Sequence, residues 1–197
     1  MQEKATSASA PVLAPPELLA GQLLPVVYRS LKAARLPAGL ITIEVTEDSF
    51  LADPERAREI LLDVRAHGLR ISIDDYGTGF SSLAYLRNLP VDELKMDRSF
   101  ISTVCVDDRS RLIVASTVDM AHALDLLVVA EGVEDARVAS ESLSLGVDLM
   151  QGYYFSKPMR GADVEAWVRG TNPPPVPMHV VPAGKVPIEN PPSGQLR

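Results

Sequence analysis

Residues 40–46, LITIEVT, alternate apolar and polar positions and are rich in β-branched side chains, a pattern that predicts a strand. The period then changes. Residues 53–67, DPERAREILLDVRAH, carry apolar side chains at helical spacing, with Asp53 as N-cap, Pro54 at the first helical position and Gly68 just past the end. LRISID, residues 69–74, predicts a second strand, residues 81–88 a short helix, and residues 93–96 a short strand. Residues 108–123 predict a helix with Ile113, Val114, Val118 and Ala121 on its apolar side. The apolar run LLVVA, residues 126–130, is another strand. Residues 134–145 form a helix that ends at Gly146, residues 147–155 (VDLMQGYYF) a strand, and residues 161–169 a last helix. Upstream, residues 17–35 also have helical spacing, and Pro25 inside that run is expected to kink or split it.

Strands alternating with helices predict a parallel sheet with helical crossovers. The apolar runs suit strands covered on both faces. A doubly wound open sheet and a (β/α) barrel both satisfy this order. The ends of the chain differ from its middle. Residues 1–16 are rich in Ala, Ser and Pro and read as a flexible segment. Eight of the 16 prolines fall in the final 27 residues, so residues 170–197 read as a disordered, Pro-rich tail. Residues 17–169 are left as the folded domain.

Bulk composition narrows the partners. A chain of 197 residues has room for one domain with a sizeable core. Its formal charge of −7 and pI near 5.0 argue against a DNA-gripping protein, which would carry a basic face. An anionic ligand remains compatible if a divalent cation reverses the local sign. Cys105 is the single cysteine, so no intrachain disulfide can form. The first 16 residues contain no apolar signal region, and no apolar run reaches membrane-spanning length. A cytoplasmic location is the expectation.

The polar residues collect at the C-terminal ends of the predicted strands: Glu44 with Glu47, Asp74 with Asp75, Lys95 with Asp97, Glu131 with Glu134, and Gln151. In parallel α/β folds that end of the sheet is where ligands bind. Carboxylate oxygens clustered there suit hard cations such as Mg²⁺ and Mn²⁺. Plainer roles are available to each residue. Glu134 or Asp97 can cap a helix, and an Asp pair before a glycine turn is a common loop. His67, His122 and His179 share no metal-ligand spacing, and His67 reads as a helix-end cation. Trp167, Tyr153 and Tyr154 read as packing residues.

Four longer motifs, IEVTE, IDDYGTGFSSLAYLRNLPVDELKMDRSF, VVAEGVE and MQGYYFSKP, resemble in order and spacing the EAL domain of bacterial cyclic di-GMP phosphodiesterases. The resemblance covers about residues 10–168. It implies a modified (β/α)8, TIM-like barrel and metal-dependent hydrolysis of cyclic di-GMP to pGpG. By the same resemblance Glu44, Asp74, Asp75 and Glu131 are metal ligands, with Asp74 shared between two ions. Lys95 orients the attacking water, and Glu131 ligates or acts as base. Glu134 and Gln151 are supporting or substrate-side positions. Glu47 braces the loop of residues 76–82.

The sequence also departs from the family pattern. The Glu-Ala-Leu segment is expected upstream of this chain, and Val12 aligns where the family carries an asparagine ligand. Valine has no donor atom for a hard cation. The first metal site is therefore expected to be impaired and the second retained. The fold is expected to be an incomplete EAL-type barrel whose open edges favour self-association or a partner protein. The expected function is that of a weakly active or inactive member of the phosphodiesterase family, or of a non-catalytic module that binds cyclic di-GMP or a protein.

Overall fold

The computed structural model describes residues 12–13, 23–46, 54–77 and 86–171. Six strands form one parallel sheet: β1 (Val12–Leu13), β2 (Thr42–Thr46), β3 (Arg70–Tyr76), β4 (Glu93–Met96), β5 (Leu127–Ala130) and β6 (Leu149–Met150), in the spatial order of the chain. That sequential order decides between the two architectures left open above. A doubly wound sheet reverses its strand order, whereas a barrel wall does not. Right-handed crossovers between sequential strands fall on one face of the sheet. The opposite face then becomes the inside of a barrel.

The helices are α1 (Leu23–Ala34), α2 (Pro54–Ala66), a single turn α3 (Arg98–Ile101), α4 (Asp108–Ala123), α5 (Ala136–Ser144) and α6 (Gly161–Ala166). Ladder register puts Ile43, Val45, Ile71, Ile73, Leu94, Met96, Val128 and Ala130 on one face, and all are buried. α2 packs on β3, burying Ala57, Ile60, Leu61 and Val64, and α4 packs on β5, burying Val114, Val118 and Ala121. The other face carries Thr42, Glu44, Thr46, Arg70, Ser72, Asp74, Glu93 and Lys95. This polar inner face holds the site.

Two aspartates secure the opposite end of the sheet. Asp92, just before β4, accepts from the Ile71 amide of β3 at 2.9 Å. Asp148, just before β6, accepts from the Val128 amide of β5 at 2.8 Å and pairs with His122 at 2.9 Å.

Several sequence expectations need correction. β1 lies within the segment expected to be flexible, since Val12 and Leu13 pair with Glu44 and Val45. Pro25 lies near the start of α1 as described and the helix continues to Ala34; residues 17–22, on the other side of the expected kink or split, lie outside the described residues. Ile113 is 41% exposed, so the buried stripe of α4 runs through Val114, Thr117, Val118 and Ala121 instead. α5 is capped by Asp135, whose side chain accepts from Arg137 and Val138 amides, and not by Glu134. β6 stops at Met150, because the chain turns at Gly152 against the backbone of Val133. Tyr153 is 60% exposed and is no packing residue, whereas Tyr154 meets Phe155 edge-on. His67 bonds the Asp63 carbonyl and stacks on Tyr28 with ring centroids 4.0 Å apart. Glu47, residues 78–85 of the predicted loop and short helix, and the tail at 172–197 lie outside the described residues, as do residues 1–11 and 14–22. No described helix is long and apolar enough to cross a membrane.

Candidate metal centre at the mouth of the sheet

Neighbouring residues of a regular strand point to opposite faces, so two adjacent aspartates should not share a site. β3 breaks that rule with a bulge. Ile73 pairs with Leu94 and Tyr76 pairs with Met96, which leaves Asp74 and Asp75 together opposite Lys95. Asp75 takes the left-handed conformation, with φ +55°. Among residues with a Cβ, Asp and Asn enter that region most readily. The extra residue brings both carboxylates to the same mouth. One ligand atom from each of Asp74, Asp75 and Glu131 lies within 4.8 Å of the others.

Lys95 ties the rest of the cluster together. Its Nζ lies 2.6 Å from Glu131 Oε1, 2.8 Å from Asp74 Oδ1 and 3.1 Å from Glu44 Oε1. These groups come from β2, β3, β4 and the residue after β5, so the sheet itself sets their spacing. Burial works against the Lys95 ammonium, but hydrogen bonds to Asp74 and Glu131 outweigh it and hold the pKa above the usual lysine value. Burial pushes the Glu131 carboxyl up, opposed by Lys95 and reinforced by Asp74 and Glu44. Burial also raises Asp75, with Asp74 and Asp97 adding to the effect.

Four carboxylates, Glu44, Asp74, Asp75 and Glu131, thus face a single ammonium. One lysine cannot match the charge of all four, and the upward shifts of Asp75 and Glu131 come first from burial, with neighbouring carboxylates adding to them. A divalent cation fits this set on two counts: the donors are all hard oxygens, and their uncompensated charge is negative.

The remaining expected residues fall around this core. Glu134 does not join the Lys95 cluster; it pairs with Arg98 at 2.7 Å on the exposed rim. Gln151 follows β6, with its backbone bonded to Ala130 and Val133 and its side chain exposed. Asp97 caps α3 by accepting from the Ser99 amide at 2.9 Å, the plainer of its two sequence roles. Sequence reasoning missed Arg98, whose signal was its place directly after Asp97 in the MDRSF run. It also missed the Arg70–Glu93 pair, 3.0 Å apart on the inner face below Lys95. The period-2 spacing of Glu93 and Lys95 was the available clue.

Residues 13–158 match the family described as the EAL domain. The chain belongs to the EAL domain family. Among curated relatives it is 42% identical over 147 residues to the cyclic di-GMP phosphodiesterase NbdA of Pseudomonas aeruginosa, covering 75% of this chain and 19% of NbdA. It therefore spans a small part of the relatives' length. Among solved structures the EAL domain of Mycobacterium smegmatis DcpA superposes with a TM-score of 0.75 at 35% identity, over 82% of this chain and 73% of that one. Klebsiella pneumoniae BlrP1, in a manganese and cy-diGMP complex, superposes with a TM-score of 0.69 at 33% identity, over 74% of this chain and 37% of that one. The sheet described above is accordingly part of an EAL-type (β/α)8 barrel, and the carboxylate cluster stands at its C-terminal mouth.

Proposed function

We propose that this EAL domain binds cyclic di-GMP through a divalent cation, Mg²⁺ or Mn²⁺, held by Asp74, Asp75 and Glu131, and hydrolyses it to pGpG slowly or not at all. The observation that carries the reading is the β3 bulge, which turns two adjacent aspartates toward Glu131. The relatives' names and the ligands of the solved neighbours supply the dinucleotide.

When bound, such an ion supplies activation of a water and stabilisation of charge on a phosphate. The side chains do the rest. Lys95, clamped between Asp74 and Glu131, presents an ammonium that orients a water or a phosphate oxygen. Glu131, with its carboxyl raised above the ordinary range, is placed to hold a proton taken from that water. Glu44 completes the inner wall, and Glu134 and Gln151 are the supporting or substrate-side positions; Glu47, expected by resemblance to brace the loop of residues 76–82, lies outside the described residues.

Slow turnover is proposed on the register of β1. Val12 is the Cα partner of Glu44, at the position where an asparagine ligand is expected. Valine has no donor atom for a hard cation, so the first cation site is the weakened one, and the set of Asp74, Asp75 and Glu131 is retained. Loss of one ion from a pair costs several kcal/mol of transition-state stabilisation, and each ~1.4 kcal/mol is about tenfold in rate. The same feature favours a second reading, a module that binds cyclic di-GMP without cleaving it.

The test combines equilibrium binding of cyclic di-GMP in Mn²⁺ with chromatographic detection of pGpG. Binding with little product supports the proposal. Robust turnover that Glu131→Ala abolishes would establish a competent enzyme in its place. Absence of binding would overturn both readings. We also propose that the sheet edges at β1 and β6 are covered by a second copy or a partner protein; a monodisperse, cooperatively unfolding monomer in sedimentation would refute this.

A further inference from the structure

We propose that the layer beneath the carboxylate cluster holds one ordered water between Glu44, Ser72 and Glu93, and that through it Glu93 is a positioning residue of the cation site. The inference rests on the cation reading above.

Three observations carry it. First, register sets the three residues side by side. Ser72 of β3 is the Cα partner of Glu44 on β2 and of Glu93 on β4, all on the inner face. Second, Ser72 is 0% exposed, and its hydroxyl has no hydrogen-bond partner among the described residues. Such orphaned hydroxyls are rare in folded proteins, and buried water is their usual partner. Third, each flanking carboxylate is paired at one oxygen among the described residues. Arg70 Nη2 lies 3.0 Å from Glu93 Oε2, and Lys95 Nζ lies 3.1 Å from Glu44 Oε1.

The balance of donors and acceptors shows why a water fits where the serine alone does not. Both carboxylates only accept, and the hydroxyl has a single proton to donate. A water accepts from the hydroxyl and donates one O–H to Glu44 and the other to Glu93. Burial pushes the Glu93 carboxyl up against the pull of Arg70, and Asp92 and Glu44 add to the rise, so the two inner acids sense each other across Ser72.

Glu44 carries the effect upward, because it also reaches Lys95. Held from below, it shares the ammonium with Asp74 and Glu131. A loose Glu44 would leave Lys95 drawn harder onto those two, which are ligands offered to the cation. Contacts behind the ligands commonly set metal affinity in this way.

The test titrates wild type, Ser72→Ala, Glu93→Gln and the double variant with Mn²⁺ alone by calorimetry, with thermal melts in parallel and a crystal structure of the wild type. The crystal should show a water about 2.5–3.0 Å from Ser72 Oγ and from both carboxylates. Ser72→Ala and Glu93→Gln should each weaken Mn²⁺ binding about tenfold. The double variant should lose little more than either, because both act through one water. Unchanged Mn²⁺ affinity in Ser72→Ala, with only the melting temperature altered, would overturn the inference. So would strict additivity in the double variant, or a crystal in which Ser72 Oγ bonds a carboxylate directly. Each of these leaves the proposed function standing. A wild type that binds no Mn²⁺ would overturn the cation reading, and the coupling with it.

Discussion

Asp74 and Asp75 stand together opposite one residue of the neighbouring strand, Lys95, because the β3–β4 ladder slips there by one position. Asp74 accepts from the Lys95 ammonium at 2.8 Å, and burial together with the neighbouring carboxylates raises the Asp75 carboxyl. Asp74→Asn should abolish Mn²⁺ binding and, because Asp74 accepts from that buried ammonium, should also lower the metal-free melting temperature. Calorimetry and thermal melts of the two proteins check both halves; equal Mn²⁺ binding would remove Asp74 from the site.

Lys95 is the counterpart. Without its ammonium, Glu44, Asp74 and Glu131 face one another across a partly buried gap. Lys95→Met should destabilise the metal-free protein by about 2–4 kcal/mol, since the cost of breaking a buried pair is the charge left behind. Mn²⁺ should restore part of that stability. Melts with and without the ion measure it, and an equal loss in both would show that the ion does not replace the lysine's charge.

The pH dependence has a definite sign. Glu131 and Asp75 hold protons above the ordinary carboxylate range in the folded, metal-free chain. A raised carboxyl pKa favours the folded state when protonated. That contribution is present below the unfolded pKa and is lost as pH rises through the folded value. Metal-free stability from these groups should fall across that window while Mn²⁺ affinity rises, because ligands must be deprotonated. Lys95 acts at the other extreme: its stabilisation persists below the usual lysine pKa and disappears only as strongly alkaline pH crosses its raised value. Mn²⁺ affinity that stayed flat through the acidic window would contradict this ionisation scheme.

Gly132→Ala tests the closeness of Arg98 to the Glu131 loop. It combines a positive φ with an overlap on the Arg98 stem, and should cost about 2 kcal/mol or more. Adding Arg98→Ala should recover the steric share and not the conformational one. Denaturant melts of the double-mutant cycle separate the two, and strict additivity would show that the side chains do not meet.

Much of this was legible from the chain alone. Residues 108–123 were expected to be a helix, and α4 runs from Asp108 to Ala123; Pro54 and Gly68 bound α2 as expected, with Gly68 at φ +80°. These are local signals, set by caps, periodicity and backbone freedom. What escaped depends on other strands. A bulge is a relation between two strands, so strand periodicity alone gave no reason for Asp74 and Asp75 to turn the same way, although the family resemblance made both of them ligands. Whether Asp135 or Glu134 caps α5 turned on where the helix begins, at Ala136, which puts the Asp135 carboxylate within reach of the Arg137 and Val138 amides. Strand alternation alone left a barrel and a doubly wound sheet open; the family resemblance pointed to the barrel, and the sequential strand order agrees with it.

Asp92 and Asp148 give the mouth acids a useful contrast. At the closed end, these carboxylates are consumed by strand amides, so the same side chain that serves chemistry at one end serves as mortar at the other. The two ends draw on separate groups. A lineage could strip the mouth of its carboxylates, one substitution at a time, and still inherit a sound sheet. Conversely, a chain with every mouth acid intact could lose its activity by fraying at the far end, where nothing about catalysis would mark the damage.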